Sequence, residues 1–192
     1  MTPFLRLLRA DFDRFDDNSS GAAGRIRVGT FLNPGLQSIV VYRFGRLLNS
    51  HKHRIWLWPL LIFAIPLHAC AAFMIRNCYG IFLAATADIG PAFWIGHFGG
   101  IEVMNCRLGK GCSIGQQTKI GTPSHNPGPQ IGDGVWIGAH ARILSPITVG
   151  NGATIAPGAR VIKDIPSSAL VAGDPARVVL RRYDNAAILP QA

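Results

Sequence analysis

From residue 89 onward an aliphatic side chain returns every six positions: Ile89, Ile95 and Ile101, then Leu108, Ile114 and Ile120, then Ile131, Ile137, Ile143, Val149, Ile155 and Val161. A helix brings side chains back to one face about every 3.6 residues and a strand every second residue, so neither alone makes this spacing. Three short strands, each closed by a turn, do make it. Such a coil takes about eighteen residues and stacks its anchors down the inside of a triangular prism. Eight of the twelve anchors are followed directly by glycine (Gly90, Gly96, Gly109, Gly115, Gly121, Gly132, Gly138 and Gly150), which suits corners where φ turns positive and backbones pass closely. The spacing slips twice. Ile101 to Leu108 reads as a one-residue bulge. Ile120 to Ile131 holds Thr122-Pro123-Ser124-His125-Asn126-Pro127-Gly128-Pro129, which must leave the prism as a loop, and a loop protruding from a regular solenoid is usually functional.

The chain ahead of the ladder has a different pattern. Residues 1–20 read as a helix with Phe4, Leu5, Leu8 and Phe12 on one face, stopped by Asn18-Ser19-Ser20-Gly21. Its acidic residues Asp11, Asp13, Asp16 and Asp17 are wrong for a secretory signal. A second helix follows Asn33-Pro34-Gly35, capped by Asn33, with Ile39, Val40, Tyr42, Leu47 and Leu48 apolar and Arg43 and Arg46 polar. Residues 55–75 then contain no Lys, Arg, Asp or Glu, between Arg54 and Arg76. That is long enough to cross a bilayer, but Pro59, Pro66 and His68 interrupt it and both ends are basic. We read it as a helical hairpin buried in an oligomer or lying in the membrane interface. The organisation expected is a helical region over 1–78, a left-handed parallel β-helix over 79–166 and a tail over 167–192, a mainly β protein.

Composition narrows the partners. A chain of 192 residues, 48% of them apolar, can bury a real core. Its net charge of +9 points to an anionic partner. No basic helix carries base-reading side chains and no basic stripe alternates with aromatics, so a polyanionic coenzyme or anionic lipid explains the charge better than nucleic acid. Cys70, Cys78, Cys106 and Cys112 have neither metal-ligand spacing nor a disulfide framework. Reduced thiols and a cytoplasmic location, with attachment at the inner face of the membrane through 55–75, are the expectation.

Several segments carry a resemblance: Ile89-Gly90-Pro91, Ile95-Gly96-His97-Phe98-Gly99-Gly100-Ile101, Ile131-Gly132-Asp133-Gly134-Val135-Trp136-Ile137-Gly138-Ala139, Lys163-Asp164-Ile165-Pro166 and Ala172-Gly173-Asp174-Pro175-Ala176-Arg177. Together, over residues 79–180, they resemble the serine acetyltransferases and the related acetyltransferases of exopolysaccharide biosynthesis, both hexapeptide-repeat acyltransferases. Asn33-Pro34-Gly35-Leu36 through Tyr42-Arg43 resembles their helical N-terminal part. The resemblance implies a trimer of prisms, acetyl-CoA in the groove between neighbouring subunits, no covalent acyl-enzyme, no metal, and His97 as catalytic base. The chemistry agrees with that role: an alcohol is a poor nucleophile at neutral pH, and a base that takes its proton during attack on the thioester gains roughly a hundred- to ten-thousand-fold. Backbone N–H groups hold the developing oxyanion. His125 is the rival base or an acceptor-pocket residue, because it sits in the protruding loop as the catalytic histidine of galactoside and maltose acetyltransferases does. His140 is read as a solvated side chain. The resemblance sets the pantetheine arm against Ala139 and Pro157, the adenosine end near Ile162 and Lys163, and the nucleotide phosphates near Arg177, where a guanidinium is well suited.

Three positions depart from the serine acetyltransferase pattern. The aspartate that would orient His97 falls on Phe82, the acidic residue just before the histidine is Gly96, and an Arg-His pair expected shortly before Pro129 is replaced by Pro127 and Gly128. Tyr79, eighteen residues before His97, is expected to stack beside it and replace the lost carboxylate. A zwitterionic acceptor needs charged partners once desolvated, so the sequence favours an uncharged saccharide hydroxyl, with serine O-acetylation as the alternative. A zinc hydratase using His97, His125 and His140 and a non-catalytic scaffold are more remote.

Overall fold

The computed structural model of the protein describes residues 3–17, 30, 32–51, 58–96, 99–124 and 127–189. Helices α1 (Pro3–Asp17), α2 (Pro34–His51) and α3 (Trp58–Met74) lead, through a π-helical turn at Ile75–Tyr79, into a β-solenoid. Asn33 caps α2 as expected, its Oδ1 accepting from the backbone N–H of Gly35 at 2.9 Å and of Leu36 at 3.3 Å.

The prism has three parallel faces. The first stacks β1 (Ile81–Leu83), β4 (Ile101–Val103), β7 (Lys119–Ile120), β10 (Arg142–Ile143) and β13 (Arg160–Val161). The second stacks β2 (Asp88–Ile89), β5 (Arg107–Leu108), β8 (Gln130–Ile131) and β11 (Thr148–Val149). The third stacks β3 (Trp94–Ile95), β6 (Ser113–Ile114), β9 (Trp136–Ile137), β12 (Thr154–Ile155) and β14 (Leu170–Ala172), with β15 (Arg177–Leu180) added antiparallel at its end. All twelve anchors of the six-residue ladder are buried. The expected left-handed parallel β-helix is the fold of this chain.

The first slip in the ladder lies elsewhere than the sequence suggested. Ile120 pairs with Val103, and Ile101 pairs with Ile81. Both Ile101 and Val103 point inward, as alternate residues of one strand must. The register is therefore longer between β3 and β4 and shorter after β4. Of the eight glycines after the anchors only Gly121 has positive φ, at 71°, so the other seven need a different reason. At Gly138 what forbids a side chain is contact, since a Cβ would lie 2.5 Å from the N of Pro157 one coil on. Positive φ occurs at other turn positions, including Asn105 and His140.

The helices close the first coil. Tyr42 donates its hydroxyl proton to the carbonyl of Ala87 at 2.7 Å, and the Arg43 guanidinium donates to the carbonyls of Ile89 and Gly90. Asp11, fully buried, accepts from Arg43 Nε at 3.0 Å and from the Phe93 N–H at 3.0 Å. The inward side of α1 is therefore Asp11, Arg14 and Phe15, while Leu5, expected inside, is half exposed. Residues 58–74 form one continuous helix rather than a hairpin, with Pro66 inside it. Pro66 faces outward.

Candidate active site

The corner that joins the third face to the first is where the sequence set the chemistry. Ala139 and Pro157 follow β9 and β12 there in successive coils, tied by the Gly158 N–H donating to the Ala139 carbonyl at 2.8 Å. Both lack a long side chain, so the backbone edge stays open to an extended ligand. One strand on, Ile162 and Lys163 follow β13, both exposed, at the far edge of the first face. Arg177 is exposed on β15, opposite Ala172. Ala139 and Pro157 thus share one corner, Ile162 and Lys163 the next, and Arg177 the end of the prism. Between the two corners the first face presents Lys119, Arg142 and Arg160 in register.

His97 and Phe98, and His125 and Asn126, lie outside the described residues. Their surroundings are informative. Gly96 follows β3 in the sequence directly before His97, and Gly99 and Gly100 come after with φ of 109° and 64°, left-handed backbone that favours glycine. A Cβ on Gly96 would meet the Trp94 ring at 2.6 Å, and that ring packs against Phe15 with centroids 6.4 Å apart. The place of the expected acidic side chain is filled by indole.

Phe82 projects from β1 with the Arg76 guanidinium 4.7 Å from its ring centroid, a cation–π contact. Its neighbour one coil on is Glu102, which pairs with Lys119 at 3.3 Å. Tyr79 does not belong to a prism strand; it ends the π-helical turn and its hydroxyl hydrogen-bonds Gln37 Oε1 at 3.0 Å. His140 is exposed, as expected. Among the described residues no three His, Cys, Asp or Glu side chains gather as a metal-ligand set.

Asn105 was not singled out by its sequence. At φ 41° its Nδ2 donates to the carbonyls of Thr122 at 2.9 Å and Pro123 at 3.2 Å, clamping the start of the protruding loop. The signal was there: asparagine is one of the few side chains that tolerate positive φ, and this one stands where the ladder slips. The thiols of Cys106 and Cys112 are buried, and burial pushes them up to about 12 and about 11.

Comparison with known proteins fits this architecture. Residues 128–163 match the bacterial transferase hexapeptide (six repeats) family. The chain is 30% identical to a serine acetyltransferase of Bacillus licheniformis over 182 residues, 93% of this chain and 79% of the relative. It is 29% identical to a serine acetyltransferase of Bacillus pumilus over 182 residues, 93% and 78% of the two. The crystal structure of serine acetyltransferase in complex with coenzyme A from Brucella abortus superimposes with a TM-score of 0.72 at 25% identity, covering 93% of this chain and 68% of that one. With the ladder, the open corner and near full-length kinship in agreement, this chain belongs to the serine acetyltransferase family of hexapeptide-repeat transferases and is an acetyl-CoA-dependent acyltransferase.

Proposed function

We propose that this protein transfers acetyl from acetyl-CoA to the hydroxyl of L-serine, with His97 as the general base. The kinship carries this reading: relatives named serine acetyltransferase align over more than nine-tenths of the chain, helices included. The coenzyme lies where the open corner of one subunit meets the first face of the next, its pantetheine arm against Ala139 and Pro157 of one and its adenosine end near Ile162 and Lys163 of the other. Lys119, Arg142, Lys163 and Arg177 supply positive charge for its phosphates. His97 removes the hydroxyl proton as the oxygen attacks the thioester carbonyl, and the departing thiolate takes up a proton to leave as free coenzyme A. The groove for this reaction forms between subunits of a trimer.

A second reading is favoured by two observations: Trp94 fills the space over Gly96, and Phe82 packs under Arg76. A desolvated ammonium and carboxylate need charged partners, and neither position offers an acid. An uncharged saccharide hydroxyl makes no such demand.

Free thiol release from acetyl-CoA decides between them. Serine-dependent turnover that falls at least a hundredfold in His97→Ala supports the first reading. Turnover with simple sugars or a saccharide–lipid extract, and none with serine, supports the second. Full activity in His97→Ala with loss in His125→Ala moves the base into the loop.

A further inference from the structure

None of the residues assigned to acetyl transfer lies on the outer side of α3. The helix rests on the rest of the protein along one stripe, Leu61, Ala64, His68, Ala71, Ala72 and Ile75. His68 Nε2 on that stripe hydrogen-bonds the Val41 carbonyl of α2 at 3.1 Å. Outside the stripe stand Phe63 (77% exposed), Leu67 (70%) and Phe73 (68%), with Ile62, Ile65 and Met74 between them. Over Leu61–Tyr79 the mean hydropathy is 1.6 and only 6% of the segment is buried. Beside Met74 and Cys78 this surface continues into an apolar cleft of about 470 Å³ between α1, α2 and α3. A helix that is apolar all round belongs in a core or in lipid, and here two thirds of it faces outward.

We propose that this face of α3 lies flat in the interface of an anionic lipid bilayer. Charge selects that occupant. Lys52, His53 and Arg54 directly precede the uncharged run 55–75 that contains the helix, Arg76 follows it, and the chain carries +9 overall. Basic residues flanking an apolar helix draw it to anionic headgroups while its apolar side enters the acyl boundary. A second copy of the chain would bring the same positive charge instead. Lying flat also follows from the packing. The helix is docked on α2, and its π-helical extension is separated from β1 by Gly80 alone. A spanning pose would drag Arg46 of α2 and the first coil of the prism into hydrocarbon.

The four cysteines make the test specific. Cys70 and Cys78 are exposed on this segment, while Cys106 and Cys112 are buried. A water-soluble maleimide at pH 7 therefore reports on α3. We expect vesicles of phosphatidylcholine and phosphatidylglycerol to slow labelling of Cys70 at least tenfold and to carry the full chain down on sedimentation, with pure phosphatidylcholine doing so far less. Phe63→Asp combined with Leu67→Asp should abolish both effects while thiol release from acetyl-CoA continues, which shows that the variant is folded. Labelling that ignores vesicles overturns the proposal. So does protection that is present without lipid and lifts on dilution, because the covering partner is then a second copy.

Discussion

Asp11 and Arg43 show how much a single residue can reverse a pattern read from the sequence. By periodicity Asp11 interrupts an amphipathic helix and Arg43 lies on a polar side, yet the pair is buried at 3.0 Å and joins α1, α2 and the first coil. Burial pushes the Asp11 carboxyl up and Arg43 pulls it back. Removing one member of a buried pair costs about 3–5 kcal/mol, because the other charge stays without its counterion. Arg43 keeps its two carbonyl partners in Asp11→Ala, so the loss falls at the low end of that range. We expect α1 to undock before the prism melts: amide exchange of residues 4–17 rises sharply while that of β7 to β13 is unchanged. Loss of prism protection at the same denaturant concentration would contradict this order. Residue types alone do not reveal such a pair, since a charge on a helix is solvated far more often than buried. The same limit applies to Trp94, whose indole settles what position 96 can hold without any motif marking it.

At the scale of elements the sequence was most legible where geometry repeats. Each coil of the prism re-imposes the same inward position, so Ile89 through Val161 could be placed by spacing. The exceptions are strands with two inward residues: in β4 both Ile101 and Val103 are buried, and six-residue counting cannot choose between them. α3 was legible in composition but not in shape, because Pro66 reads as a break in sequence and sits in the structure on the exposed side of an unbroken helix. The protruding loop was visible as a gap, but its anchor was not. Asn105 ties its first residues to the coil before it through two hydrogen bonds, each contributing about 0.5–1.5 kcal/mol. Asn105→Ala is expected to lower stability by about 1–3 kcal/mol and to raise the KM for the acceptor several-fold while that for acetyl-CoA holds. An equal rise in both would show that the loop serves the coenzyme instead.

On the scale of the whole molecule, Ala139 and Pro157 lie on one side of the first face and Ile162 and Lys163 on the other, two corners of one prism with Arg177 at its end. One prism offers an edge at each, with a flat and basic face between them. In the proposed trimer, two neighbouring prisms set edge to face would make a groove, walled by the open corner of one subunit and the charged face of the next. Burying a thioester there excludes water, which both protects it from hydrolysis and strengthens each electrostatic contact. A closed ring with three-fold symmetry gives every subunit the same two half-sites and leaves none unused. Sedimentation equilibrium should therefore give a mass that is a multiple of three chains of 20.7 kDa. Dilution that dissociates this species should remove acetyl transfer in step with mass, even at saturating acetyl-CoA, because a lone prism holds only half of each groove. A monomer that keeps its turnover after dilution would place the whole coenzyme site on one subunit. Lys119, Arg142 and Lys163 would then have to serve the same molecule that lies against Ala139 and Pro157.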